Sequence, residues 1–529
     1  MALKEFKNVS VGYIPDTEIE LNNKKYKIHD VIQGEDILVD TDLKYPTLNK
    51  VLKASPNRIY DGCPYQAECG GCQFQHVSYE YEKKLKEQYL NDLFKSFHLP
   101  HISLVTLDMP NNYRNKCQMT YKLSKSKKVV CGLYQEYSHK IVTITDCMLQ
   151  AKKANEVISA LNKVLTKNKI RPYDEKTREG NLRHVYIRYG FNSKEIMVVL
   201  VTNGEMFPGR GNVVNDLKKL NLGITTIVQN YNARDTSIVL GDKEKVIYGP
   251  GFIYESVGGY KFKISGTSFF QVNTLGMEKL YNLALEKAEI KKSDIVIDAY
   301  CGVGTISIFA SKYAKKVVGV ELNKNAITDA KINAKINNIT NVTFISDDAT
   351  NYMTNLAKNR EKCDVVLMDP PRDGSTKAFI NAINYLDARK VVYVSCNAET
   401  LKRDLYLFSE NDYVVKSITA VDMFPRTIHT ETVVCLSRKK VNDRINFDIN
   451  IEALPDRVSK TATYAEIKAY VLEHYGFKVS SLYIAQIKDK HGIKERENYN
   501  IGEGKSKELI CPPEKEEAIT NALKHFNMI

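Results

Sequence analysis

From Leu275 to Arg438 the chain alternates apolar, β-branched runs with helix-patterned stretches, and this rhythm constrains the fold more than any other feature. Strand-like runs stand at DIVIDAY, KVVGVEL, NVTFISDDA, CDVVLMDPP and KVVYVSCN, separated by helical patterns such as TISIFASKYA and KNAITDAKINAKIN. Strands with few polar interruptions are those buried on both faces, so the units predict an α/β fold with a parallel sheet covered by helices on either side. A final pair, YVVKSITAVDM and TETVVCLSR, predicts an antiparallel edge.

In such sheets ligands collect at the carboxyl ends of the strands, and the acidic and thiol residues stand there. Asp298-Ala-Tyr300-Cys-Gly302-Val-Gly304-Thr305 joins a strand to a helix. Its glycines let a ligand approach the backbone, and the helix start offers free N–H groups. Glu321 ends the next strand, where a carboxylate accepts hydrogen bonds from ribose hydroxyls. The loop is not G-x-G-x-x-G, which argues against a nicotinamide dinucleotide. Asp348, with Asp347 as rival, is placed to meet an adenine. Each acid alone is as readily a surface or cap residue; together, at successive strand ends, they point to S-adenosylmethionine (SAM).

Asp369-Pro370-Pro371-Arg372 follows the fourth strand, and its prolines direct Asp369 outward where a base edge can be held. A rigid structural turn is the bland alternative. Amino methyltransferases carry an aromatic where Arg372 stands, so the bet moves from nitrogen to carbon methylation. Cys396 ends the fifth strand. Most free cysteines are small buried hydrophobes, and only its company gives this one a catalytic reading. Carbon 5 of uracil is too weak a nucleophile to attack a SAM methyl directly, and thiolate addition at C6 activates it. Glu431, in His429-Thr430-Glu431-Thr432, is the base that would then remove the C5 proton. The target must be single-stranded or flipped out of a duplex.

Upstream, Cys63, Cys69 and Cys72 lie in one glycine-rich loop, where thiolates suit an iron–sulfur cluster or zinc. Cys147 is the preferred fourth ligand, with Cys117 and Cys131 in competition. Residues 1–58 read as short strands of an OB-type β-barrel, although a β-rich cap explains them equally well. A helix at 77–97 presents a dense Lys/Glu face, read mostly as solvated surface. Asn112-Tyr-Arg-Asn-Lys116 suits phosphate and base contact or a plain hairpin turn. Residues 150–265 read as α+β, with one helix at 152–168 and strands at LRHVYIRYGF, EIMVVLVTN, TTIVQNYN and TSIVLGD. Beyond about 441 three helices, with a short hairpin among them, make a separate winged-helix-like module.

At 529 residues the chain needs three or four domains. It contains no run of about 18 apolar residues, so no membrane span is expected. Its start lacks a secretory apolar core, which predicts a cytoplasmic protein whose cysteines are thiols or metal ligands. A formal net charge of +13 favours a polyanionic partner, nucleic acid first, and 32 tyrosines supply faces for stacking.

The set GGCQFQH, YRNK, LRHVYIR, SFFQVN, DAYCGVG, DPPR, VSCN and H-x-E-T-V resembles the SAM-dependent RNA uracil-C5 methyltransferases of the iron–sulfur branch, over nearly everything to about Arg438. The resemblance implies a Rossmann-like SAM-methyltransferase domain at 266–440, a central α+β iron–sulfur domain at 59–265 and an RNA-binding TRAM version of the OB barrel at 1–58. Residues 441–529 are an accessory helical module outside that pattern. It implies a [4Fe–4S] cluster on Cys63, Cys69, Cys72 and Cys147. Gln271, Tyr300, Thr305, Glu321, Asp348 and Asp369 would line the SAM and uracil site, with Cys396 as nucleophile and Glu431 as base. Thr305 stands where the family often has Asn, and Ala398 where Pro is usual. Members with a cluster and barrel modify ribosomal RNA, so 23S rRNA is the expected substrate of an expected monomer. Transfer RNA is the first alternative, and an inactive RNA-binding protein with a structural metal the second.

Overall fold

The valine and isoleucine runs at Ile295–Ala299, Lys316–Glu321, Val342–Ser346, Val365–Met368 and Lys390–Ser395 pair as parallel strands. Their order in the sheet is 342–346, 316–321, 295–299, 365–368, 390–395. The order reverses between 295–299 and 365–368, which opens a crevice at their carboxyl ends. Glu431–Arg438 then adds antiparallel to 390–395, and Tyr413–Val421 antiparallel to Glu431–Arg438, as the sequence predicts. An eighth strand that the sequence does not announce, Leu104–Val105, extends the edge in parallel with Tyr413–Val421.

This is a computed structural model, and it describes residues 2–42, 46–60, 62–107, 109–135, 138–234, 238–439, 464–491, 511–526 and 528. The chain divides into two compact units, 1–442 and 443–529. Among the described residues no helix is long and apolar enough to cross a membrane.

A second sheet precedes the first. Seven strands run in the order 243–248, 224–231, 196–202, 182–189, 116–123, 129–134, 141–143, with the helices Lys152–Lys167 and Arg210–Lys219 packed together and sharing its core. Two expectations fail here. TSIVLGD is not a strand where it is described, at 238–242; the edge strand is Lys243–Tyr248, followed by a hairpin of Phe252–Val257 and Tyr260–Ser265. The helix Arg210–Lys219 is the other, since its charged sequence hides an apolar face of Val213, Val214 and Leu217.

The N-terminal strands have their own small core around Ile19, Ile28, Ile37 and Val39. Their ladders form a three-stranded sheet and a separate hairpin, Asp16–Leu21 with Lys24–His29, rather than one closed barrel among the described residues. The helix Tyr79–Leu93 corrects another expectation. Glu82 and Lys86, read as solvated, are buried, because the segment Asp422–Arg426 closes over them, while the helix also packs beside the helix Ala398–Glu410. In the second unit the three expected helices stand at Tyr464–Tyr475, Ser481–Lys490 and Pro513–His525 around a core of Ile467, Ile484 and Ile519. The expected hairpin lies outside the described residues.

Candidate active site

One cavity of about 1210 Å³ opens at the crevice of the parallel sheet. Gln271, Tyr300, Glu321, Asp348, Asp369, Cys396 and Glu431 all line it. Thr305 does not: as the first residue of the helix Thr305–Ser311 it is buried beneath the loop. Asp347 does not line the cavity, and its carboxylate accepts from the Asp348 N–H at 2.8 Å.

Strand pairing places the reactive ends together. Ser395 lies opposite Thr432, and Val421 opposite Glu431, so Cys396 and Glu431 leave the same end of adjacent strands. The 369–372 turn is tied to the thiol turn through the Arg372 carbonyl, which accepts from Asn397 Nδ2 at 3.2 Å and Thr400 Oγ1 at 3.0 Å. The Arg372 guanidinium reaches His429 Nδ1 at 2.9 Å and also faces the Cys396 thiol.

Burial dominates the electrostatics. It raises the Cys396 thiol above the ordinary range, the charges of Glu431 and Asp369 raise it further, and Arg372 opposes them. Burial, then Asp369, holds the Glu431 carboxyl well above its usual range. Asp369 is pushed up to about 7 by burial alone. His429 is pushed down to about 4, by burial first and by Arg372 next, so near neutral pH it is an uncharged acceptor for that guanidinium. Glu431 Oε2 is buried with no hydrogen-bond partner, an acceptor left open towards whatever fills the cavity.

At the other end of the cavity Glu321 accepts from Gly302 N at 3.2 Å and Asn323 N at 2.8 Å, which orients its carboxylate over the loop. Gly304 has φ +82° and no room for a side chain, since an added Cβ would stand 2.6 Å from Phe344. Tyr300 also holds a positive φ, 68°, a costly conformation for an aromatic residue. Asp348 caps the helix Ala349–Lys358 through Asn351 N at 3.0 Å.

Cys63, Cys69, Cys72 and Cys147 line a second cavity of about 340 Å³, with Cys117 also on its wall. Burial pushes the Cys72 thiol up to about 12 and raises Cys63 and Cys69 as well. Cys131 is fully buried and lies outside this cavity. Among the described residues no group of three or more His, Cys, Asp or Glu side chains closes on a common metal position. The thiols are gathered into one space without converging on a point.

Sequence reasoning assigns Gly71 and Phe269 no role and places Arg114 and Asn115 only in a candidate phosphate and base contact or turn. Arg114 and Gly71 line both cavities. Asn115, expected at a phosphate or in a turn, instead donates to the Gln271 carbonyl at 2.8 Å and to Thr274 Oγ1 at 3.0 Å, fixing the Gln271 backbone. Phe269 lines the site and is 63% exposed, a surface signal no local pattern carries.

The profile of the tRNA (uracil-5-)-methyltransferase family matches residues 78–439. An uncharacterized RNA methyltransferase of Halalkalibacterium halodurans is 40% identical over 395 residues, covering 74% of this chain and 86% of that protein. One from Clostridium tetani is 37% identical over 426 residues, covering 79% and 92%. The Pyrococcus abyssi tRNA (uracil-54, C5)-methyltransferase, solved with S-adenosyl-L-homocysteine, superposes with a TM-score of 0.65 at 26% identity, covering 82% of this chain and 100% of that one. Sequence and fold agree: the chain is an RNA methyltransferase and belongs to the SAM-dependent tRNA (uracil-5-)-methyltransferase family.

Proposed function

We propose that the chain methylates C5 of a flipped-out uridine in 23S ribosomal RNA through a covalent adduct on Cys396. The observation that carries this is the arrival of Cys396, Glu431 and Asp369 in one cavity from neighbouring strand ends. The Cys396 thiolate adds to C6, and the displaced electron pair makes C5 a nucleophile. SAM, when bound, supplies a methyl group on a sulfonium centre, which C5 takes as the carbon–sulfur bond breaks and neutral S-adenosylhomocysteine leaves. Glu431 then takes the C5 proton, the C5–C6 double bond reforms, and the C6–S bond breaks to return the thiolate. Arg372 stabilises that thiolate in both the addition and the release. Asp369 holds a base edge.

Gln271, Tyr300, Glu321 and Asp348 are the residues assigned to SAM. The space fits: an added Cβ at Gly302 meets nothing within 4 Å, which leaves room for a ligand beside Glu321. Cys63, Cys69, Cys72 and Cys147 are assigned to a [4Fe–4S] cluster. Four soft donors facing one cavity support this, and closure onto a shared centre requires the loop to tighten. The N-terminal strands, with Lys24, Lys25 and Lys27 on their hairpin, are assigned to RNA contact.

Transfer RNA is the second reading, favoured by the likeness to the Pyrococcus abyssi enzyme. The deciding experiment supplies methyl-labelled SAM and, separately, ribosomal and transfer RNA from cells lacking the gene. Label is expected in 5-methyluridine of 23S RNA, and Glu431→Gln should trap a denaturation-resistant protein–RNA adduct. Label confined to transfer RNA selects the second reading; no adduct and normal turnover in Glu431→Gln reject the mechanism.

A further inference from the structure

The 422–430 connection carries His429 and leads directly into Glu431, and it is not a free loop. At its centre Arg426 adopts φ 71°, which a non-glycine residue holds only when its surroundings enforce it. The Arg426 carbonyl accepts from Gln73 N at 3.0 Å and Phe74 N at 3.2 Å. Its guanidinium donates to Val77 O at 2.8 Å and lies 3.5 Å from Glu82 Oε2, while its N–H donates to Glu82 Oε1 at 2.7 Å. The Gln73 side chain completes the pairing by accepting from Ile428 N at 3.3 Å. Beneath them Lys86 bridges Glu82 and Asp422, each at 2.8 Å. The turn that begins at Cys72 is therefore fastened to the segment that ends at Glu431.

We propose that Arg426 and Gln73 are positioning residues for the proton-removal step. They hold the entry to the last strand so that the Glu431 carboxylate meets the C5 proton of the adduct, and they place that geometry under the control of the cysteine-bearing turn. Neither residue need touch the reacting atoms. This rests on the covalent mechanism proposed above. A misplacement of about 1 Å at a catalytic group costs up to about 100-fold in rate. Glu431 lies at the end of the clamped segment, whereas Cys396 and the Arg372 backbone are held from other strands, so elimination slows more than addition and methyl transfer, and the adduct accumulates.

The test uses the full-length enzyme with methyl-labelled SAM and ribosomal RNA from cells lacking the gene, or transfer RNA should that be the substrate. Gln73→Ala and Arg426→Gln are each expected to lower kcat about 10-fold, with KM for RNA within about twofold, and to raise the adduct fraction. Arg426→Lys should recover part of the loss. Amide hydrogen exchange across 427–431 should rise in both variants. Should Arg426→Gln not fold, because it leaves Glu82 short of a partner, Gln73→Ala decides, since it removes only the bond from Ile428 N and a 3.4 Å bond to the Gly70 carbonyl within its own turn. An unchanged adduct fraction, or a loss of kcat that Gln73→Ala does not share, overturns the proposal. If Glu431→Gln itself traps no adduct, the covalent mechanism has failed instead, and unchanged exchange at 427–431 then overturns the clamp independently.

Discussion

Ser395 and Thr432 face each other across the antiparallel ladder, and the Thr432 hydroxyl donates to the Ser395 carbonyl at 3.2 Å. Each is one residue short of a reactive group. The pairing therefore sets Cys396 beside Glu431 by backbone register, before any side-chain packing is considered. A slip of one residue would turn one of them to the other face of the sheet.

Cys396→Ala is expected to abolish both adduct and product, a loss of roughly 10³-fold or more, on the scale of deleting a nucleophile. RNA binding measured by gel shift should stay within about threefold, because the thiol is a minor part of the contact area. Residual C5 methylation near the wild-type rate would exclude this thiol.

The nucleophile and the base must both lose a proton, and burial holds both above their ordinary ranges. The rate constant kcat/KM should therefore climb with pH through neutrality rather than level off near the ordinary carboxylate range. Removing the opposing cation by Arg372→Ala leaves the thiol with only raising influences, so the rising limb should move to higher pH. A profile already flat by about pH 6 would contradict this electrostatic picture.

Asp298 sits at the base of the loop, fully buried, and is pushed up to about 7 by burial despite a hydrogen bond from Ser307. A carboxyl raised this way binds its proton more tightly when folded. Its contribution is whole below the ordinary Asp value and is lost as pH rises through about 7. At about 1.4 kcal/mol per unit, the loss is on the order of a few kcal/mol. Asp298→Asn should flatten the fall in melting temperature between about pH 4 and pH 8 in protein without SAM. An unchanged slope, read by calorimetry, would refute it.

Lys86 is the cation between two fully buried carboxylates, Glu82 and Asp422. Lys86→Met should destabilise the 1–442 unit by about 3–5 kcal/mol, because the acids lose their shared partner. Chemical denaturation followed by circular dichroism checks this; a change under about 1 kcal/mol would show the network to be slack.

The cysteine assignment predicts about four irons per chain in protein purified without oxygen. Cys147→Ser should lose most of that iron, whereas Cys117→Ser should keep it, since Cys117 is buried on the wall with its thiol towards the Ile187 carbonyl at 3.8 Å. Equal loss in both variants, or stoichiometric zinc in the wild type, would reject the cluster.

The parallel strands, their antiparallel closure and the strand-end positions of Glu321, Asp348, Asp369, Cys396 and Glu431 are legible in the sequence, while Gln271 and Tyr300 come into the site only through the family resemblance. Apolar runs of β-branched residues announce buried strands, and a strand's carboxyl end is where a parallel sheet exposes its side chains to ligand. Other features depend on partners far along the chain. Glu82 and Lys86 have the local pattern of a solvated helix face, and only Asp422 and Arg426, over 300 residues away, make them a buried network. Thr305 falls out of the site because the helix it starts is sunk against the sheet, a depth that motif spacing does not encode. Local sequence determined which residues lie at strand ends; long-range packing decided which of those ends meet. Burial and charge pairing are properties of distant segments brought together, so the protonation of Glu431 and the fastening of Arg426 belong to the tertiary structure alone.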